Sequence, residues 1–157
     1  AVIAMTWAML ATLAAAADPA PAAGFDIEQA MHGVVLLVTD LGDGVASFGS
    51  GIVVDDKGDV LTNLHVLDGA KGVRALVYDP DEPSYAAIDG GLRRLVFERE
   101  RDLVPVRIVK GDPVNDLAVV HLEKPVRIYV MPIAKTPPAI GDPVSALGHP
   151  DYSLAVR

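Results

Sequence analysis

Cysteine does not occur among the 157 residues of the chain. This absence excludes disulfide bonds, thiolate zinc sites, iron–sulfur clusters and a cysteine nucleophile. Basic residues are also scarce, because 13 lysines and arginines face 21 aspartates and glutamates, which gives a formal net charge of −8. An acidic chain without a basic run is poorly suited to holding a phosphate backbone, so no nucleic-acid partner is expected.

The long apolar run of the sequence lies at its start. Residues 1–17 comprise 15 apolar residues and two threonines. The run is shorter than the roughly 20 apolar residues of a membrane-spanning helix, and its last four residues, all alanine, offer an Ala-x-Ala cleavage site. We therefore predict a secretory signal peptide over 1–17, with an uncleaved membrane anchor as the alternative, and a linker over 18–24. The protein is expected to be exported, either periplasmic or secreted, and to meet a membrane only through residues 1–17.

The remaining residues are typical of a globular domain built mainly from strands. One or two helical turns are predicted at 25–31, where Asp26 stands three residues before Gln29 as in a capping box. Short β-branched and apolar runs predict strands at 34–38, 46–48, 51–54, 60–63, 73–78, 104–109, 117–122 and 144–147. A Gly-containing turn at 55–58 predicts a hairpin. Without helical periodicity or a repeat, this pattern indicates an all-β antiparallel barrel or sandwich.

Two stretches interrupt the series of strands. Residues 79–103 contain two prolines, a glycine pair and the charged run 98–102, and they predict a solvated loop or hairpin. The prolines of 134–143 predict a connector between two packing units. The chain is thus divided into a barrel over 25–136 and a connector with the start of a second barrel over 137–157.

Histidine is the residue type that carries most of the candidate chemistry. No two of the four histidines are four residues apart, as in a helical metal site, and no thiol joins them. No metal and no cofactor is therefore expected. The four are His32, His65, His121 and His149.

His65 lies where a predicted strand ends, in the sequence Leu-Thr-Asn-Leu-His-Val. At that place an imidazole lies at the rim of a barrel and opens to a cleft. The plainer interpretation is a solvated histidine at the end of a strand.

Asp116 directly precedes the apolar strand 117–122. A carboxylate in that position is partly buried and needs a partner, because an unpaired buried charge is costly. A histidine N–H is a suitable partner. The alternative is that Asp112, Asn115 and Asp116 are ordinary turn residues. His65 and Asp116 together, in this order and both flanked by strands, favour a functional pair.

Three strings occur in a fixed order: GSGIVVDDKGDVLTNLHVLDGA, VRIVKGDPVNDLAVVHLEKP and AIGDPVSALGHP. Over about residues 27–157 they resemble the first half of trypsin-like serine proteases of the HtrA/Deg type. The resemblance implies an all-β fold with a chymotrypsin/trypsin-like antiparallel β-barrel and the beginning of a second. It implies that His65 is the general base and Asp116 its orienting carboxylate. Polypeptides are the implied substrates, and the resemblance leaves room for a homo-oligomer of the full-length protein.

The nucleophile of that family lies in a Gly-x-Ser-Gly-Gly segment, and no such segment occurs in this sequence. Ser50 lies in Gly-Ser-Gly, which the family uses as a structural turn, and no serine has the glycines of an oxyanion hole. We therefore predict a fragment that holds two thirds of a triad and is inactive by itself. The serines are Ser47, Ser50, Ser84, Ser145 and Ser153.

One residue departs from the resembled pattern. His149 stands where the family more often has asparagine, and we expect it to be a loop residue. Three functions stay open: a serine endopeptidase, a non-catalytic protease-like module that binds peptides or proteins at the cell envelope, and a secreted structural β-domain.

Overall fold

A computed structural model describes residues 26–77, 79, 91–124 and 126–149. The predicted signal peptide and linker lie outside these residues. Six strands close into an antiparallel barrel in the order β1-β2-β3-β6-β5-β4. This decides between the barrel and the sandwich that the strand pattern left open, and it confirms the β-barrel that the resemblance implied. The elements are α1 (Ile27–Met31), β1 (Val34–Gly42), β2 (Val45–Val53), β3 (Asp59–Thr62), the 3₁₀ helix η1 (Leu64–Leu67), β4 (Gly72–Leu76), α2 (Gly91–Glu98), a 3₁₀ turn (Glu100–Asp102), β5 (Val104–Asp112) and β6 (Leu117–Leu122).

The barrel interior is filled by alternate residues of its strands, because successive side chains of a strand point to opposite faces. The branched side chains that fill it are those that fit a closed sheet. Extended residues after β6 contribute Val126, Ile128 and Val130 to the same core. The buried residues are Val35, Leu37, Val53, Val60, Leu67, Val73, Ala75, Val104, Ala118, Val120 and Leu122.

A second apolar cluster lies outside the barrel, under α2. Leu36 and Val38 are the outward residues of β1, and they pack with Leu95 of α2, which is 2% exposed. β1 is therefore buried on both faces. Residues 91–98 form a helix, so the loop or hairpin predicted for 79–103 is wrong there. The physical reason is that the outer face of β1 and β4 offers an apolar surface to one side of the helix.

The strand boundaries differ from the sequence prediction in two places. Residues 46–48 and 51–53 belong to a single strand, β2, which ends one residue before the predicted 51–54, so Gly49-Ser50-Gly51 lies within a strand and the predicted structural turn is wrong. The two glycines leave space for side chains of η1 and β3, since a Cβ at Gly49 would lie 2.4 Å from Val66. The strand predicted at 144–147 is also wrong: these residues lie outside the ladder of the closed barrel and are mostly exposed.

Two local predictions are confirmed. The turn at 55–58 joins β2 to β3, and the Asp55 carboxylate accepts hydrogen bonds from the backbone N–H groups of Lys57 and Asp59. Asp26 caps α1 by accepting a hydrogen bond from the backbone N–H of Gln29. Among the described residues, no helix has the length and apolar character needed to cross a membrane.

Candidate active site

His65 lies on η1, the short helix that follows β3. Contacts with β1 and β2 hold η1 on the barrel. The buried hydroxyl of Thr39 on β1 donates a hydrogen bond to the Val66 carbonyl at 2.8 Å, and Val66 fits against Gly49 of β2. The imidazole stays at the surface, since the His65 side chain is 66% exposed, as predicted for a residue at the barrel rim.

Asp116 lies at the end of the turn between β5 and β6. The Asp112 carboxylate organises this turn by accepting hydrogen bonds from the backbone N–H groups of Val114 and Asn115 and from the Asn115 side chain. These bonds hold the pKa of Asp112 below its ordinary value, the Asn115 side chain being the largest cause. Asp116 itself has a positive φ of 52°, a left-handed conformation that aspartate tolerates better than most residues.

The structure brings His65 and Asp116 together. Nδ1 of His65 lies 2.6 Å from Oδ2 of Asp116, and the backbone N–H of His65 donates to Oδ1 at 2.9 Å. The carboxylate is about half exposed, at 47%. The juxtaposition that the two sequence segments predicted is therefore present, across 51 positions of the chain.

Asn63 is a site residue to which sequence reasoning assigned no role. Its side-chain amide donates to the Asp116 carbonyl at 3.0 Å and to Oδ2 at 3.4 Å. The backbone N–H of Leu64 donates to the same carbonyl at 3.1 Å. Three consecutive residues, 63–65, thus donate hydrogen bonds to Asp116. The Thr-Asn-x-His spacing in the sequence was the signal that pointed to this position.

The electrostatics favour an ionised Asp116. The side-chain hydrogen bond from His65 is the largest cause that lowers its pKa, followed by the hydrogen bond from the His65 backbone. An ionised carboxylate only accepts hydrogen bonds, so Nδ1 of a neutral His65 ring carries the proton. The other ring nitrogen, Nε2, is then the one that accepts a proton from a neighbouring group.

A second histidine–aspartate pair lies at the other end of the same two strands. Nδ1 of His121 on β6 lies 2.7 Å from Oδ1 of Asp59 on β3, and the two residues are cross-strand partners. The His121 side chain is only 29% exposed. This pair joins β3 to β6 on the outer face of the barrel.

His149 lies in irregular structure, which confirms its prediction as a loop residue. Its backbone N–H donates to Oγ of Ser50 at 2.7 Å, and burial lowers the pKa of its ring to about 4. Ser50 also accepts a hydrogen bond from the Thr62 hydroxyl through its carbonyl. Ser50 therefore ties the segment before residue 150 to β2, while Ser84 and Ser153 lie outside the described residues.

Metal-binding clusters are absent from the part of the chain that the structure describes: no three histidine, aspartate or glutamate side chains there are grouped to hold an ion. The geometry that remains is an exposed imidazole held by an ionised carboxylate. Such a pair is suited to moving a proton to and from a substrate or a nucleophile.

Comparison with known proteins connects this geometry to a family. The profile of a family described as the trypsin-like peptidase domain matches residues 49–156. The serine endoprotease DegS of Escherichia coli K12 is 32% identical over 111 residues, which cover 70% of this chain and 25% of that protein. The DegS of Salmonella typhimurium 14028s gives the same values. The chain thus spans about a quarter of the length of these relatives.

A solved structure matches the fold. The crystal structure of the serine endoprotease from Yersinia pestis superposes with a TM-score of 0.54 at 24% identity, covering 74% of this chain and 35% of that one. This likeness shows that the closed six-stranded barrel is a trypsin-like β-barrel. With a family profile that matches most of its length, the chain belongs to the trypsin-like peptidase family, and the resemblance to the HtrA/Deg type is confirmed.

Proposed function

We propose that the chain supplies the histidine–aspartate half of the active site of a serine endopeptidase. In this proposal His65 is the general base and Asp116 is the carboxylate that orients it. The nucleophilic serine and the oxyanion hole come from sequence outside these 157 residues, in which no Gly-x-Ser-Gly-Gly segment occurs. Polypeptides are the proposed substrates, and the protein acts after export.

The observation that carries the proposal is the double hydrogen bond between His65 and Asp116, at 2.6 and 2.9 Å. A serine hydroxyl is a poor nucleophile at neutral pH, so it needs a base that takes its proton as the substrate carbonyl is attacked. Nε2 of His65 takes that proton and then gives it to the leaving amine. Ionised Asp116 stabilises the imidazolium that forms between the two transfers.

Asp116 does more than balance charge in this mechanism. Because both of its oxygens accept from His65, the ring is held in the tautomer with the proton on Nδ1. The Asn63 side chain and the Leu64 N–H both donate hydrogen bonds to the Asp116 carbonyl, which anchors the backbone of Asp116 beside η1. The pair is therefore prepared before a substrate arrives, which lowers the cost of orienting the base.

The first experiment tests the role of the pair in the longer polypeptide that carries the nucleophile segment, with casein as substrate. We expect His65→Ala to abolish serine-reagent-sensitive cleavage and Asp116→Asn to reduce it by about 10⁴-fold, because asparagine favours the wrong tautomer. His121→Gln is the matched control, since it alters a histidine–aspartate pair outside the site. Near-normal cleavage by His65→Ala would overturn the assignment.

The second experiment uses the 157-residue chain alone. We expect no serine-reagent-sensitive cleavage of casein, because the sequence of the chain contains no Gly-x-Ser-Gly-Gly segment to supply the nucleophile and the oxyanion hole. Cleavage at a rate typical of the family would show that a serine within the chain serves as nucleophile. The competing function, a non-catalytic binding module, predicts instead that the longer polypeptide is inactive even with His65 and Asp116 intact.

A further inference from the structure

A groove lies on the outside of the barrel, away from the histidine–aspartate pair. It is formed where α2 and the turn after it approach the hairpin of β1 and β2. Its volume is about 250 Å³. The lining residues are Gly44, Ala46, Phe48, Arg74, Arg93, Val96, Phe97 and Glu100.

The groove and η1 lie on opposite faces of β2. Ala46 and Phe48 are two residues apart and point into the groove, whereas Gly49 faces Val66, the neighbour of His65. The groove is therefore a separate surface, and a ligand there does not contact the pair.

The volume of the groove favours a few side chains of a polypeptide, and not a whole small molecule, as its occupant. Sites for drug-sized molecules usually measure about 300–1,000 Å³. The smaller volume here is suited to one or two apolar side chains of a polypeptide. Phe97 is 79% exposed and lines the groove together with Phe48. An apolar side chain of a polypeptide would therefore find two aromatic rings to contact.

The charges of the groove favour an anionic partner. Two arginines, Arg74 and Arg93, face one carboxylate, that of Glu100. The Arg74–Glu100 pair is loose, at 3.8 Å, and within the described residues no acidic group lies close enough to Arg93 for an ion pair. Among the described residues that line the groove, two positive charges thus face one negative charge, on a chain whose net charge is −8.

Two carboxylates of the described residues near α2 are paired with other arginines. Glu98 pairs with Arg94 at 2.7 Å, and Asp102 pairs with Arg99 at 2.5 Å. Arg93 and Phe97 are one helical turn apart, so a guanidinium and an aromatic ring lie side by side. Arginine and the aromatic residues, phenylalanine included, are enriched at protein interfaces.

We propose that this groove binds an extended acidic segment of another polypeptide, which places an apolar side chain against Phe48 and Phe97 and a carboxylate on Arg74 and Arg93. The contact gives the protein a second point of attachment to a polypeptide, independent of the His65–Asp116 pair. It does not rest on the proposed peptidase activity.

The test is a direct binding measurement with the full 157-residue chain. The probe is a fluorescein-labelled twelve-residue peptide with the sequence Phe-Glu-Leu-Asp repeated three times, followed by fluorescence anisotropy. A second probe has lysine in place of every acidic residue. We expect the acidic peptide to bind with an affinity that falls as salt is added, and the lysine peptide to bind at least about tenfold more weakly.

Two variants and two matched controls decide whether the groove is the site. We expect Arg93→Glu and Phe97→Ala each to weaken binding of the acidic peptide by about tenfold or more. Arg127→Glu changes an exposed arginine elsewhere, and Val114→Ala shortens a side chain that is 89% exposed, so both should bind as the wild type does. Circular dichroism verifies that each variant is folded.

Three outcomes would overturn the proposal. The first is equal binding of the acidic and lysine peptides. The second is equal binding by Phe97→Ala, Arg93→Glu and the two controls. The third is a self-association of the chain, detected by sedimentation, that Phe97→Ala abolishes, because the groove would then hold a second copy of the chain.

Discussion

The carboxylate of Asp116 accepts two hydrogen bonds from a single residue, His65. One comes from the backbone N–H to Oδ1 at 2.9 Å, and the other joins Nδ1 to Oδ2 at 2.6 Å. One bond alone would set a distance and leave the ring free to turn about it. Two bonds to the two oxygens of one planar group also set the orientation of the imidazole relative to its own backbone.

The tautomer of His65 should depend on the chemistry of residue 116. In Asp116→Asn the side-chain amide can turn a donor toward Nδ1, so we expect the proton of the neutral ring to move to Nε2. Asparagine also tolerates the left-handed backbone that this position has, so the fold should persist. ¹⁵N NMR of the histidine ring reports the tautomer directly. Asp112→Asn is the control, and an Nδ1–H tautomer in Asp116→Asn would contradict the prediction.

The pKa of Asp116 should depend on His65, which is the largest cause of its lowered value. Because the folded pKa lies below the unfolded value of about 3.9, the stabilisation is present above that pH and is lost as the pH falls through the folded pKa. In His65→Ala we expect the Asp116 pKa, measured by ¹³C NMR of the carboxyl carbon, to rise.

Asp55 provides the internal control for that titration. Its pKa is also lowered, but the largest cause is the hydrogen bond from the Asp59 backbone, which His65→Ala leaves intact. The Asp55 pKa should therefore stay where it is. A rise of both values would mean that the variant has perturbed the barrel, and no rise of either would exclude His65 as the cause.

The barrel and the pair could be predicted because their evidence is local in the sequence. Each strand has its own apolar run, and His65 and Asp116 each lie at the edge of such a run. Asn63 likewise lies at the edge of an apolar run, directly after β3. Its role could not be predicted, because its partner is the backbone carbonyl of a residue 53 positions away.

The errors have a common physical origin in tertiary packing. Leu92, Leu95 and Val96 have helical spacing, but the run is short and lies among charged residues. It forms a helix because it packs on an apolar patch on the outside of the barrel. The sequence alone does not show that this patch lies on the outside. Residues 144–147 include side chains that favour strands, but a strand also needs a hydrogen-bonded neighbour. Every strand of the closed barrel already has two neighbours, so the barrel leaves no free strand edge for these residues.

The contact between Gly49 and Val66 should be sensitive to a single methyl group. A Cβ at Gly49 would lie 2.4 Å from Cγ1 of Val66, so Gly49→Ala must displace η1 or strain β2. We expect a loss of about 1–3 kcal/mol in the free energy of unfolding, measured with urea. Gly72→Ala is the matched control in β4, where a Cβ meets no atom within 4 Å.

Restoring the space should restore the stability. Val66→Ala removes both methyl groups that a Cβ at Gly49 would approach, so the double variant should recover part of the loss and bring η1 back to its position. The chemical shifts of the His65 ring report that position. Equal unfolding free energies for Gly49→Ala and Gly72→Ala would mean that η1 does not pack on β2 as described.

Ser50 should control the environment of His149. Its Oγ accepts the His149 backbone N–H at 2.7 Å, and burial of the ring lowers the His149 pKa to about 4. Ser50→Ala removes a hydrogen bond that contributes about 1 kcal/mol. The segment should then open more often, and the His149 pKa should rise toward its ordinary value near 6.5.

The same pKa difference makes the attachment of this segment depend on pH. The buried ring binds its proton less readily than a solvated one, so protonation favours the open form. The attachment is therefore complete above about pH 6.5 and weakens as the pH falls toward 4. ¹H NMR titration of His149 measures both effects, with Ser47→Ala as the control on the same strand. An unchanged pKa near 4 in Ser50→Ala would show that other contacts hold the segment.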